Sequence, residues 1–174
     1  MVNTNRVALD RLDVELLGIL TRDARVGVVE LASKLGVARN TVQSRLRRME
    51  AEGLLHGYRL DVDLEQAGAS VLAFMAVELV QGRQRHVIRE MSALPEVLEI
   101  NTTTGREDLL VRLATESHAS LQELIERLLS ISGVTRATTS LALSNPLPYR
   151  VQPLLEKITE GAGWGRSTPP PRPE

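Results

Sequence analysis

Leu35-Gly36-Val37-Ala38-Arg39-Asn40-Thr41-Val42-Gln43-Ser44-Arg45-Leu46-Arg47-Arg48-Met49 is the stretch on which the fold of this chain turns. Val42, Leu46 and Met49 stand at i, i+4 and i+7, one apolar face of a helix over residues 39–52 that Gly53 ends. Just upstream, Val28, Leu31, Ala32 and Leu35 give residues 28–35 a short apolar face of their own. Gly36-Val37-Ala38 then separates the two helices by the three-residue turn of a helix-turn-helix, with Gly36 tolerating the positive φ such turns often need. At ~100° per residue, Asn40, Ser44, Arg47 and Arg48 project roughly opposite the apolar face. Thr41 and Gln43 lie at its edges, and Arg39 and Arg45 flank the buried stripe. Four arginines and no acidic residue fall between positions 39 and 48.

That surface suits the major groove of double-stranded DNA. Arginine bonds guanine O6 and N7, Asn or Gln pairs with adenine, and Ser or Thr commonly meets phosphate. The expected DNA-binding residues are therefore Arg39, Asn40, Thr41, Gln43, Ser44, Arg45, Arg47 and Arg48. The alternative is a three-helix unit with a solvated basic face that docks a protein, making the chain a metabolite-sensing adaptor.

Outward from this centre, residues 9–23 read as an amphipathic first helix. Leu9, Leu12, Leu16, Leu17, Ile19 and Leu20 point inward; Asp10, Arg11, Asp13 and Glu15 occupy the other face. Partial alternation over 54–62 suits a β-wing, so residues 1–62 form a winged helix-turn-helix domain, followed by a linker over 63–69. Beyond it the pattern becomes mixed: strand 70–80, helix 84–93 ending before Pro95, strand 97–104, a turn at Gly105, strand 108–115, helix 117–131 and strand 134–144. The class is α+β, and the βαββαβ order over 70–150 is ferredoxin-like, an antiparallel sheet with both helices on one face. The other face is uncovered, which predicts a homodimer formed through the sheet. Residues 151–174 are expected to be a largely disordered tail with a helical turn or two at 154–159, since Gly161 onward is rich in Gly and Pro.

Composition narrows the function classes. Ten Lys and Arg against seven Asp and Glu make residues 1–60 basic, while eight against twelve make 61–150 acidic, so only the first half suits a polyanion. With no cysteine there is no disulfide framework and no thiol nucleophile. No apolar run approaches the ~18 residues of a membrane span, and the first residues lack the apolar stretch of a secretory leader. The expected location is cytoplasmic, with no membrane partner. His56, His86 and His118 are scattered over different elements without metal-ligand spacing, and neither a glycine-rich phosphate loop nor a nucleophile elbow occurs. We therefore expect no catalytic residue, no metal and no cofactor. With two Tyr, one Phe and one Trp the chain has no platform for stacking unpaired bases, which argues against RNA.

The order and spacing of several motifs resemble the Lrp/AsnC (feast/famine) family of bacterial and archaeal regulators. The opening Leu9-Asp10-Arg11-Leu12-Asp13 is similar to the family's Leu-Asp-x-x-Asp start, and Asp23-Ala24-Arg25-Val26 to the stretch before its second helix. The turn and third helix, and Gly53-Leu54-Leu55-His56-Gly57-Tyr58 after them, continue the likeness, which extends to about residue 150. The resemblance implies a transcription regulator whose C-terminal module dimerises and assembles further, commonly into octamers. It also implies an amino acid or related metabolite bound between neighbouring modules. The matching effector-binding stretch here is Thr102, Thr103, Thr104, Gly105, Arg106 and Asp108. Two positions depart from the family pattern. Arg106 replaces an acidic residue and either receives an effector carboxylate as a bidentate pair or pairs with Glu107 or a neighbouring subunit. Ala38 replaces a capping Ser or Thr, leaving Asn40 to cap a shorter helix.

Overall fold

The structure is a computed structural model and describes residues 7–165. It divides into two compact units, one holding the chain up to Leu60 together with the stretch from Pro148, the other Asp61–Leu147.

The first unit is built on α1 (Arg11–Arg22), α2 (Val28–Leu35) and α3 (Arg39–Ala51). Leu12, Leu16 and Leu20 meet Leu31, Ala32 and Leu35 of α2 and Val42 and Met49 of α3 in one buried cluster, with Leu9, Leu17, Ile19 and Leu46 at its margin. Helices this short are marginal alone. Burial at about 1.5–3 kcal/mol per large apolar side chain is what assembles them.

Two expectations for this unit fail. Residues 54–62 form no strand. The N–H groups of Leu54 and Leu55 both donate to the Met49 carbonyl, and both side chains turn in against the helical cluster, while Leu60 is 91% exposed. The alternation read as a wing is thus two residues closing the end of α3 and then free chain. Among the described residues no strand pairs with it, and an unpaired strand leaves its backbone groups without ladder partners.

The second is the disorder expected of the C-terminal tail, although the helical turn or two expected at 154–159 is present. Residues 152–158 form α6 (Gln152–Ile158), with Pro153 in the first turn where its missing N–H costs nothing. This helix packs on α1. Gln152 Nε2 donates to the Val14 carbonyl at 3.2 Å, and a Cβ on Gly18 would come within 2.8 Å of the same side chain. Farther on, Trp164 joins the margin of the helical cluster. Residues 166–174, the rest of the expected tail, lie outside the described residues.

In the second unit a turn over 64–68, braced by the Gln66 N–H donating to Asp63 Oδ1 at 3.0 Å, leads into the sheet. Its strands are β1 (Val71–Leu79), β2 (Val97–Thr102), β3 (Leu109–Thr115) and β4 (Val134–Leu141), ordered β2-β3-β1-β4 and antiparallel throughout. Helices α4 (Gln84–Ser92) and α5 (His118–Leu129) connect them. Alternate residues Ala73, Met75 and Val77 of β1 and Leu109, Val111 and Leu113 of β3 pack with Val87, Met91, Leu121, Leu124 and Leu128 from the two helices. This is the ferredoxin-like arrangement, helices on one face only. The intervening residues Leu72, Phe74 and Ala76 of β1 and Leu110 of β3 line the other face, where Phe74 and Leu110 are each 39% exposed.

Candidate nucleic-acid interface

Helix α3 is aimed by the turn before it. Gly36 takes φ 64° and ψ 30°, a left-handed conformation that glycine adopts without a Cβ clash. Its N–H donates to Ser33 O and the Val37 N–H to Ala32 O at 3.0 Å, so the last carbonyls of α2 are satisfied as the chain reverses. Ala38 then precedes α3 in extended backbone with no side-chain cap. Asn40 does not take over that role: it sits inside the helix, exposed.

The eight expected contact residues separate into two sets. Arg39, Asn40, Gln43, Ser44 and Arg47 are exposed, and Thr41 is half-buried beside them. Arg45 and Arg48 are committed inward. Arg45 Nη1 donates to Asp10 Oδ2 at 2.5 Å and to Asp13 Oδ1 at 2.8 Å. Arg48 Nη2 donates to Asp13 Oδ2 at 2.5 Å, and its Nη1 to the Ala8 carbonyl at 3.3 Å. Arg45 keeps 16% of its side-chain exposure, Arg48 37%, Asp13 none. Burial pulls the Arg45 guanidinium toward the neutral form, but hydrogen bonds and charge from Asp10 and Asp13 outweigh it and raise its pKa above the ordinary arginine value.

The two carboxylates also cap α1. The Asp13 N–H donates to Asp10 Oδ1 at 3.0 Å and the Asp10 N–H to Asp13 Oδ2 at 3.1 Å, a reciprocal box at the start of the helix. Asp13, placed by periodicity on the solvent face, is therefore wholly buried. The sequence does hold a signal for this clamp. Asp10 and Asp13 are three apart, as are Arg45 and Arg48, the spacing that stacks side chains on one helix face. Four charges at matched spacing on two helices can pair.

The expected effector stretch lies on the β2–β3 connection. The Thr103 N–H donates to the Asp108 carbonyl at 3.0 Å, Thr103 Oγ1 donates to the Glu107 carbonyl, and Gly105 takes φ 125°. Asp108 Oδ2 accepts the Leu79 N–H at 2.7 Å, fastening the turn to the end of β1. Within the chain Arg106 pairs with Glu78 and not with Glu107: its Nε donates to Glu78 Oε1 at 3.1 Å, leaving the side chain 66% exposed. Thr102, at the end of β2, and Thr104 and Gly105 on the turn are exposed. Among the described residues no three His, Asp or Glu side chains gather to hold a metal, and no helix is long and apolar enough to cross a membrane.

Comparison with known proteins agrees with both units. The family model for an AsnC-type helix-turn-helix domain matches residues 9–50, and that for the Lrp/AsnC ligand binding domain matches 72–152. The HTH-type transcriptional regulator FL11 of Pyrococcus horikoshii is 30% identical over 138 residues, 79% of this chain and 91% of FL11. The structure of Escherichia coli AsnC superposes with a TM-score of 0.78 at 29% identity, covering 84% of this chain and all of AsnC. A Neisseria meningitidis transcriptional regulator in complex with L-Met gives a TM-score of 0.75 at 24% identity, over 84% of this chain and 99% of that one. These relatives are regulators, not enzymes. The chain belongs to the Lrp/AsnC family and is a DNA-binding helix-turn-helix transcriptional regulator with a ligand-binding domain.

Proposed function

We propose that this regulator reads specific duplex DNA with the outer face of α3, using Arg39, Asn40, Gln43, Ser44 and Arg47, with Thr41 at the flank. The observation that carries the reading is the division of the arginines. Arg45 and Arg48 are spent on Asp10 and Asp13, whereas Arg39 and Arg47 have no carboxylate partner among the described ion pairs and stand on the solvent side with Asn40 and Gln43. Free guanidinium and amide groups on one helix face can satisfy the paired donors and acceptors of guanine and adenine edges. Arg45 and Arg48 act at one remove, by fixing the angle between α1 and α3. An anisotropy titration of a duplex from the protein's own promoter tests this. Arg47→Ala should weaken binding about tenfold or more with an unchanged melting temperature. Equal binding by the variant contradicts the assignment.

The protein acts as a homodimer built on the open sheet face and assembles further, an octamer being the expected form. Phe74 and Leu110, half-exposed on that face, support the pairing, since a second sheet is the simplest cover for a one-sided apolar layer. An amino acid or related metabolite binds at a subunit junction beside Thr102, Thr103, Thr104, Gly105 and Arg106, while Asp108 holds the turn. The L-Met bound by the Neisseria relative and the matched ligand-binding domain support this class of effector. Arg106, two-thirds exposed, can exchange Glu78 for an effector carboxylate. A thermal-shift screen of the twenty amino acids, repeated with Arg106→Ala, should give a stabilising ligand whose shift the variant abolishes. A shift that survives in the variant places the effector elsewhere.

A further inference from the structure

The match to the ligand-binding domain stops at residue 152, yet the chain continues, and its next residues return to the DNA-binding unit. Three separate contacts tie them there. The Arg11 N–H, at the start of α1, donates to the Gly163 carbonyl at 3.1 Å. The Trp164 ring packs on the helical cluster, with the Arg11 guanidinium 5.9 Å from its centroid. Gly165, at φ 120°, lies so close to the ionic clamp that a Cβ there would stand 2.6 Å from Arg45 Nη2 and 2.9 Å from Asp10 Oδ2. The clamp joins α1 to α3, so residues 163–165 rest on the atoms that set the pose of the recognition helix. Gly163 and Gly165 also help line an open surface groove of about 980 Å³, together with Asn40, Thr41 and Ser44 of α3.

We propose that residues 160–165 are a positioning strap of the DNA-binding unit: they hold the Asp10–Arg45 pair in register and thereby orient α3 on duplex DNA. Trp164 is the anchor and Gly165 the point of close approach. Among the described residues the buried indole Nε1 has no acceptor, and the contacts that hold the anchor are apolar and cation–π. The strap touches no base. Its effect passes through Asp10 and Arg45 to Asn40, Ser44 and Arg47. The inference rests on the outer face of α3 being the DNA-reading surface.

That chain of contacts predicts a specific signature. A helix held at a slightly wrong angle loses base contacts before it loses phosphate attraction, because base readout needs paired geometry and the ionic term does not. The test uses the full-length protein with Trp164→Ala, Trp164→Phe, Gly165→Ala and Arg47→Ala, each confirmed folded by circular dichroism at the assay temperature. Anisotropy then compares a site selected from random duplexes with a scrambled duplex. Trp164→Ala and Gly165→Ala should each weaken the selected site about tenfold while affinity for scrambled DNA and the salt slope stay unchanged. Trp164→Phe should restore most of the loss. A strap that only adds stability would lower the melting temperature and leave the selected-to-scrambled ratio intact, which overturns the proposal. If Arg47→Ala itself leaves the selected site unaffected, the assignment of α3 has failed; if Arg47→Ala weakens it and neither strap variant does, the strap alone has.

Discussion

Asp13 takes two guanidinium groups and a backbone N–H on a carboxylate with no solvent exposure. Removing one member of such a network strands the others, at a cost of about 3–5 kcal/mol for a buried pair. Asp13→Ala should therefore lower the melting temperature by roughly ten degrees, measured by circular dichroism; an unchanged melt would show that the clamp is not structural. Arg47→Ala should do the opposite, leaving stability intact and removing DNA affinity. Arg48 belongs to the clamp, so Arg48→Ala should reduce both. The sign of the pH effect comes from Arg45. Its pKa is raised in the folded state, so its contribution is fully present below the ordinary arginine range and is lost only as pH climbs through that range. Melting temperature should accordingly show no Arg45-linked decline between about pH 6 and 9. Periodicity located α3 and its polar residues correctly as helix. It did not separate the free arginines from the committed ones, because that depends on carboxylates 32 and 35 residues away.

Among the elements, the turn from α2 to α3 was legible because its signal is local: an apolar periodicity that stops, a glycine, and a second periodicity that starts. The start of α3 is uncapped at Ala38, whose φ −70° and ψ 147° suit a capping residue. Ala38→Ser should stabilise the protein by about 1 kcal/mol through a hydroxyl accepting an orphan N–H of α3, read as a higher denaturant midpoint. No gain would mean that another group already satisfies those donors. The sheet was equally legible, because Val71–Leu79 and Leu109–Thr115 are short apolar-rich runs set between helical patterns and turn residues. The wing misled because Leu54 and Leu55 are apolar for a different reason, the closure of α3. α6 was anticipated as a turn or two at 154–159, but its seat on α1 and the order around Trp164 were not, because Gly and Pro dominate residues 161–174 and what holds this stretch is a distant apolar surface on α1 and its neighbours.

At the scale of the assembly, the proposed dimer through the open sheet face would couple association to DNA binding, since each chain carries one helix-turn-helix. Two recognition helices related by a dyad would meet half-sites about one helical turn apart. Placing charge on the open sheet face tests the assembly: Phe74→Glu with Leu110→Glu should reduce the mass seen by light scattering to that of a single chain and weaken DNA binding sharply, since a dimer gains from engaging two half-sites at once. An unchanged mass would move the dimer contact to another surface. Whether α3 reads bases with its outer face is decided by selecting duplexes from a random library with the wild-type protein, with Arg47→Ala and with Asn40→Ala. Each variant should relax the preference at one pair of symmetry-related positions, by ~1–3 kcal/mol for each lost base contact, and leave the rest of the site intact. Identical selected sites bound equally tightly by all three proteins would refute that role for α3.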